Sequence, residues 1–260
     1  MDVVKDDRVE DRLIYGEGTT YQEWRDWSGL DTLKQLDLNV CFPEGSRVLI
    51  VAPHPDDEIL GCAGLLQQLA QLKRDIVLVA VTNGTQSHPD SSLYSPHQLN
   101  TIRPAESHNA LEVLGVNHRV QRIALNLMDG ELTTQQDKLY QALTELIHPD
   151  DILVCTFDKD GHPDHEATGR IVQQLANASE LICYQVLIWA WHWASPEDSR
   201  IPWTKALKLE LTPQQLKYKN NAILCFKSQL EIDQSTGQLP ILSEHTIRRI
   251  LLPCEVYICG

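Results

Sequence analysis

Short apolar runs and longer amphipathic stretches alternate through the middle of this chain. Arg47 to Ala52 (RVLIVA) is β-branched and apolar, and after Pro53-His54-Pro55 a helical pattern runs from Glu58 to about Lys73. Asp75 to Val81 predicts a second buried strand, and Ile102 to Gly115 a second helix that Gly115 stops. The alternation continues with a strand near Val120 to Leu125, a helix near Gln135 to Ile147, a strand at Ile152 to Phe157 and a helix from Asp164 to Ala176. Strands that are apolar along their whole length are buried on both faces, so the pattern predicts a parallel sheet covered by helices on either side.

The expected fold class is therefore α/β, a Rossmann-like and largely parallel sheet flanked by helices. Beyond Leu181 the regularity fades into the run Leu181 to Trp193, a Pro/Trp-rich connection, a helix near Pro213 to Leu230 and a terminal strand near Glu255 to Cys259. We read residues 180–260 as a C-terminal lobe of one domain spanning 46–260. Residues 1–45, of mixed polarity and carrying Tyr21, Trp24 and Trp27, read as an extension packed on that core. With 260 residues the chain can bury a sizeable core without disulfides.

In open sheets of this kind, ligands bind beyond the carboxyl ends of the strands, where strand order reverses. Two polar clusters fall at such ends. His54-Pro55-Asp56-Asp57-Glu58 follows the first strand, and His162-Pro163-Asp164-His165 follows the strand ending at Phe157. Acids in Pro-rich loops often do no more than cap the next helix. Two clusters rich in His and Asp at two strand ends point instead to a metal, because catalytic zinc takes three ligands from His, Asp/Glu or Cys and keeps one position open. Together they hold more donors than one metal needs, and the surplus acid and His are what a hydrolase uses for proton transfer.

Composition narrows the choice of partner. The formal charge of −14 repels phosphate backbones and anionic membrane surfaces, so nucleic acid is not expected as a partner. No apolar run approaches the ~20 residues that span a bilayer, which argues against membrane insertion. The acidic start, Met1-Asp2-Val3-Val4-Lys5-Asp6-Asp7, lacks the basic and apolar regions of a signal peptide and implies the cytoplasm. Seven cysteines without a C-x-x-C pair read as buried reduced thiols.

The segment Ala52-Pro53-His54-Pro55-Asp56-Asp57-Glu58, with the downstream His162-Pro163-Asp164-His165, resembles the LmbE-like, or PIG-L, deacetylase family. Arg103, Glu106, Ala110, Leu114 and Gly115 are similar to that family's R-x-x-E…A…L-G helix, and Lys227-Ser228-Gln229 to its C-terminal K/H-S-Q element. The resemblance covers roughly 46–230. It implies that His54, Asp57 and His165 bind Zn2+, with Fe2+ or Co2+ as other divalent choices, and that Asp56 is the general base. It further implies that His162 faces the oxyanion, with Asp164 orienting its imidazole, and that Arg103 binds sugar hydroxyls or the acyl oxygen. Such a mechanism requires Asp56 ionised while His162 stays protonated, hence a bell-shaped profile. Two departures are Pro53, where a small residue is common, and Asn83, where many members have Asp; Asn83 is carried as a substrate contact.

Trp189, Trp191 and Trp193 alternate with period two, so on a strand they share one face while His192 points the other way. Aromatic rings pack in cores and also stack on sugars. Trp191-His192-Trp193-Ala194 resembles a segment bordering the pocket in a subgroup of these deacetylases, which makes His192 a substrate-facing candidate. His88 and His97, in the polar loop Thr82 to Asn100, read as solvated.

The function expected is zinc-dependent removal of the N-acetyl group from an N-acetylglucosamine-type amino sugar or its conjugate, with that small molecule as partner and a homo-oligomer left open. The alternatives are an amidase of a sugar-thiol conjugate and a non-catalytic binding scaffold. A nucleotide-dependent oxidoreductase is disfavoured because Gly61-x-x-Gly64 is not G-x-G-x-x-G.

Overall fold

A computed structural model describes residues 12–260. Eight strands form one sheet: β1 (Lys34–Gln35), β2 (Arg47–Ala52), β3 (Asp75–Ala80), β4 (Val120–Ala124), β5 (Asp151–Thr156), β6 (Ile182–Val186), β7 (Ala206–Glu210) and β8 (Cys254–Cys259). Their order across the sheet is β1-β7-β8-β6-β5-β2-β3-β4. The pairings from β6 through β4 are parallel, as is β1 with β7, and only β8 runs antiparallel to its neighbours β6 and β7.

The apolar run of β2 is explained by burial on both faces. Val48, Ile50 and Ala52 belong to one core, with Ile59, Leu65 and Leu69 of the Asp57–Gln71 helix. Leu49 and Val51 face a second core with Leu139 of the Gln136–Leu146 helix and Val172 of the Pro163–Ala178 helix. From β2 the chain moves outward through β3 to β4 and then returns to place β5 on the other side of β2. The reversal of strand order therefore lies between β2 and β5. Val51 is in register with Cys155, so the two strands end side by side and their following loops meet above the sheet.

Several local expectations change. Ile188 to Trp193 does not continue as a strand, because Ala190–Trp193 closes into one helical turn. The strand β7 was not anticipated. The helix expected near 213–230 is two pieces, Pro213–Ile223 and Lys227–Leu230. The helix expected from Ile102 begins at Pro96, where Ser95 and Gln98 form a capping box. Of residues 1–45, those before 12 lie outside the described residues. Trp24 is fully buried beside Trp191 and Trp203, donating its indole N–H to the Trp191 carbonyl. No helix among the described residues is long and apolar enough to cross a membrane.

Candidate active site

The loop after β2 makes an abrupt turn. Asp56 has φ 146°, in a region that L side chains rarely adopt, and it stands just before the helix that begins at Asp57 with its carboxylate not used as a cap. His54 donates its backbone N–H to Asp57 Oδ2 at 2.9 Å, which folds the two side chains toward one point. From the other side of the reversal, the Pro163–Ala178 helix presents His165 from its first turn.

Three donor groups converge there. His54 Nδ1 lies 3.4 Å from Asp57 Oδ2 and 3.3 Å from His165 Nε2, and His165 Nε2 lies 3.3 Å from Asp57 Oδ1. Ligand atoms on one tetrahedral zinc with bonds of about 2.0–2.1 Å stand about 3.3–3.4 Å apart, the spacing of the two imidazole nitrogens; Asp57 meets His54 with one oxygen and His165 with the other, and His162 brings a ring nitrogen within 4.8 Å of both imidazoles, so the donor chemistry suits such an ion. The outer nitrogens are also committed. His54 Nε2 meets Asp129 Oδ1 at 3.0 Å and Asp164 Oδ2 at 3.3 Å, and His165 Nδ1 meets Asp160 Oδ2 at 2.8 Å. Carboxylates behind the rings hold the outer N–H and turn the inner lone pairs toward the centre.

The charges agree with a cation site. Burial drives the His54 and His165 imidazoles toward neutrality, but the surrounding carboxylates outweigh it and both basicities rise. Burial likewise pushes the Asp57 carboxyl up, and His165 and His54 more than reverse this, holding it at about 2. The cluster carries negative potential that a divalent ion would satisfy.

Asp56 differs from its neighbour. Burial raises its carboxyl to about 7 against the opposing guanidinium of Arg103, and Asp57 adds to the rise. Arg103 Nη2 donates to Asp56 Oδ2 at 2.9 Å and to the Pro55 carbonyl at 2.9 Å, while Nη1 reaches the Gly84 carbonyl at 3.1 Å. Gly84 has φ +63°, and a Cβ there would overlap the guanidinium. Arg103 thus reaches the expected base, and its Nε is buried without a partner among the described residues.

His162 caps the Pro163–Ala178 helix by accepting the Asp164 backbone N–H at Nδ1, 3.2 Å away. Burial, with His165 and His54 close by, pulls its basicity down to about 3. The ring is therefore neutral with its proton on Nε2, rather than the imidazolium that the sequence reading required. The expected contact from the Asp164 carboxylate to His162 is also corrected: its oxygens accept from His54 Nε2, Gly130 N and Leu132 N, and only its backbone N–H reaches His162.

These side chains open into a cavity of about 340 Å³, within the range of small-molecule sites. Asp56, Arg103 and His162 line one part, and Leu60, Trp189 and Leu242 another. Asn83 is not in its wall; its amide donates to Asn100 and Asn126 at 3.0 Å each, while Gln86 and Ser87 of the same loop line the cavity. His192 is also absent from the wall. In the helical turn its Nδ1 accepts from Arg249 at 2.9 Å and its Nε2 donates to the Tyr15 carbonyl at 2.8 Å, so it anchors the N-terminal segment. His88 is 6% exposed and packs at a tilt against the Tyr94 ring, not solvated.

Sequence reasoning missed Asp129 and Asp160. Each precedes a glycine of positive φ, Gly130 and Gly161, and so reads as a turn. Asp160 is fully buried and accepts the backbone N–H groups of Ile188, Trp189 and Ala190 as well as His165.

Fold and donor set together define an α/β protein with a His-His-Asp metal-binding group where its strand order reverses. Residues 49–176 match the family described as PIG-L: GlcNAc-PI de-N-acetylase, and the chain belongs to that family. It is 30% identical over 143 residues to diacetylchitobiose deacetylase of Thermococcus kodakarensis, covering 53% of this chain and 52% of that protein. It is 32% identical over 143 residues to an uncharacterized deacetylase, YaiS, of Escherichia coli K12, covering 52% of this chain and 71% of that protein. The chain thus spans about half the length of the first of these relatives. Among solved structures, N,N'-diacetylchitobiose deacetylase from Pyrococcus horikoshii superposes with a TM-score of 0.55 at 22% identity, covering 83% of this chain and 82% of that one. The zinc-inhibited form of teicoplanin deacetylase Orf2 gives 0.59 at 18%, covering 82% and 97%. These structures share the fold.

Proposed function

We propose that this chain is a metal-dependent N-deacetylase that hydrolyses the acetamido group of an N-acetylglucosamine-type amino sugar or its conjugate. The observation that carries the reading is the donor triangle of His54, Asp57 and His165 opening into the same cavity as Asp56, Arg103 and His162. The names of relatives support the substrate class: diacetylchitobiose, an inositol 2-acetamido-2-deoxyglucoside and N-acetylglucosaminyl-phosphatidylinositol. The seven free cysteines support a reducing compartment such as the cytoplasm.

A divalent ion held by the triangle, zinc or alternatively Fe2+ or Co2+, would supply an acidified water and polarise the amide carbonyl. Asp56 takes the water's proton on its carboxylate and returns it to the departing nitrogen, so that water and amide become amine and acetic acid, which ionises to acetate. Arg103 keeps that carboxylate oriented and favours its ionised form. The Nε2–H of His162 donates to the carbonyl oxygen as negative charge grows there.

The test is a panel of N-acetylated amino sugars with acetate and free amine as readouts, run on chelated and zinc-reloaded protein. We expect acetate release that chelation abolishes and metal restores. Full turnover without metal, or none on any sugar with metal loaded, overturns the reading. Release of larger acyl fragments in preference to acetate favours the sugar-thiol amidase instead.

A further inference from the structure

The Lys227-Ser228-Gln229 element is not used by the hydrolytic steps, yet Gln229 lines the cavity and is 1% exposed. Its polarity follows from donor and acceptor counting across three residues. The Glu106 carboxylate, on the Pro96–Val113 helix, accepts the Ser228 backbone N–H at 2.8 Å on one oxygen and the Ser228 hydroxyl at 2.6 Å on the other. The single hydroxyl proton of Ser228 is thereby committed, so its oxygen can only accept from Gln229. Gln229 Nε2 sits 2.9 Å from it, which makes that end of the amide the donor. The opposite end, Oε1, has no donor among the described residues.

Oε1 is not among the fully buried side-chain atoms that lack a partner, so this free acceptor is reached from the cavity, and a match can come from there. The backbone of Gln229 is held as well, since its carbonyl accepts the N–H of Leu242, another residue of the wall. We propose that Gln229 is a substrate-specificity residue whose Oε1 accepts a hydrogen bond from one sugar hydroxyl, with Glu106 and Ser228 as positioning residues that set the amide's orientation. This rests on the amino-sugar reading above and names one recognition contact within it. The carboxylate of Glu106 is essential to the polarity: an amide in its place can donate to Ser228, free the hydroxyl proton for Gln229 and so turn the Gln229 amide round.

The experiment uses an N-acetyl amino sugar that the metal-loaded protein turns over, with its monodeoxy derivatives, one for each hydroxyl. Gln229→Met should lower kcat/KM on the parent sugar roughly 10–100-fold, the effect of one lost hydrogen bond at a buried site, mainly through KM and with metal content unchanged. On one deoxy sugar the variant and the original protein should perform alike, because the hydroxyl that Gln229 reads is already missing. Metal content and a melting temperature close to those of the original protein in Gln229→Met separate recognition from folding. Glu106→Gln should lose the discrimination between the parent sugar and that deoxy sugar. Equal losses on every sugar, or none, overturn the assignment while turnover of the parent sugar leaves the deacetylase reading standing. Absence of any turnover removes both.

Discussion

Asp160→Asn is a sensitive probe of how the site is held. The carboxylate accepts four bonds: Oδ1 from the N–H groups of Ile188 and Ala190 at 3.0 and 2.9 Å, Oδ2 from Trp189 at 3.0 Å and from His165 Nδ1 at 2.8 Å. An asparagine has one oxygen. If that oxygen faces Ile188 and Ala190, the new NH2 opposes the Trp189 N–H, and His165 must accept at Nδ1 and move its proton to Nε2, the atom that faces Asp57. If the amide is reversed, two backbone N–H groups are orphaned. The better arrangement still leaves one buried donor unmatched, about 1–3 kcal/mol, and removes the ionic part of the remaining bonds, for a total of about 2–4 kcal/mol.

Urea unfolding of the chelated variant should show that loss. Zinc competition against a chromophoric chelator should show affinity reduced about 10–100-fold, the usual effect of losing the carboxylate behind a metal-binding His. An affinity unchanged within about threefold, beside the expected stability loss, would falsify the tautomer argument and leave Asp160 as a clamp on the 188–190 turn. No change in either measurement refutes both halves of the reasoning.

Asp56→Asn should keep normal metal content and lose about 10²–10⁴ in kcat. Its metal-free form should outlast the original in thermal melts at pH 8, because a folded-state pKa raised to about 7 gives stability below about pH 4 that is lost as pH climbs toward 7, and Asn has nothing to lose. Arg103→Met should move the acidic limb of kcat/KM to higher pH by about one unit, since the guanidinium holds the Asp56 carboxyl down; an unmoved limb detaches that limb from Asp56. His162→Ala should cost about 10²–10³ in kcat with both limbs in place, because a neutral Nε2–H donor does not titrate there. Loss of the basic limb in that variant would restore the imidazolium.

What could be read from sequence was set by how local the governing physics is. β2 and β5 announce themselves because burial on both faces leaves no polar position from Val48 to Ala52 or from Ile152 to Cys155. The proposed donors His54 and Asp57 are legible because they follow the end of β2 by two and five residues, and His165, nine past the end of β5, because it stands in the His-Pro-Asp-His run of the next connection. β7 is not, because its Lys208 reaches back to the Asp31 carbonyl and so is buried in an otherwise charged alternation. The Trp189 to Trp193 pattern misleads because the local period is overruled by Asp160, which gathers three successive N–H groups and turns the backbone. Asp129 and Asp160 stay hidden for the same reason: an Asp-Gly pair specifies a turn, and nothing local says that the Asp129 carboxylate points inward to His54 of another loop or that of Asp160 to His165 in the helix that follows.

The adjacent carboxylates Asp56 and Asp57 show what the strained turn accomplishes. Two neighbouring buried carboxylates left in one environment would repel. Here Asp56 holds φ 146° and its carboxylate meets Arg103, while Asp57, in the first helical turn, meets His54 and His165. Burial acts on both, yet one sits at about 7 and the other at about 2. Groups pushed apart in this way divide acid-base work from charge binding. The backbone strain, of order 1–3 kcal/mol, is held by Glu58, which accepts the Asp56 N–H at 3.1 Å and is itself held by the Ser107 hydroxyl. The helix that carries Arg103 thus also carries Ser107, so a single element fixes the charge facing Asp56 and the peptide geometry that separates it from Asp57.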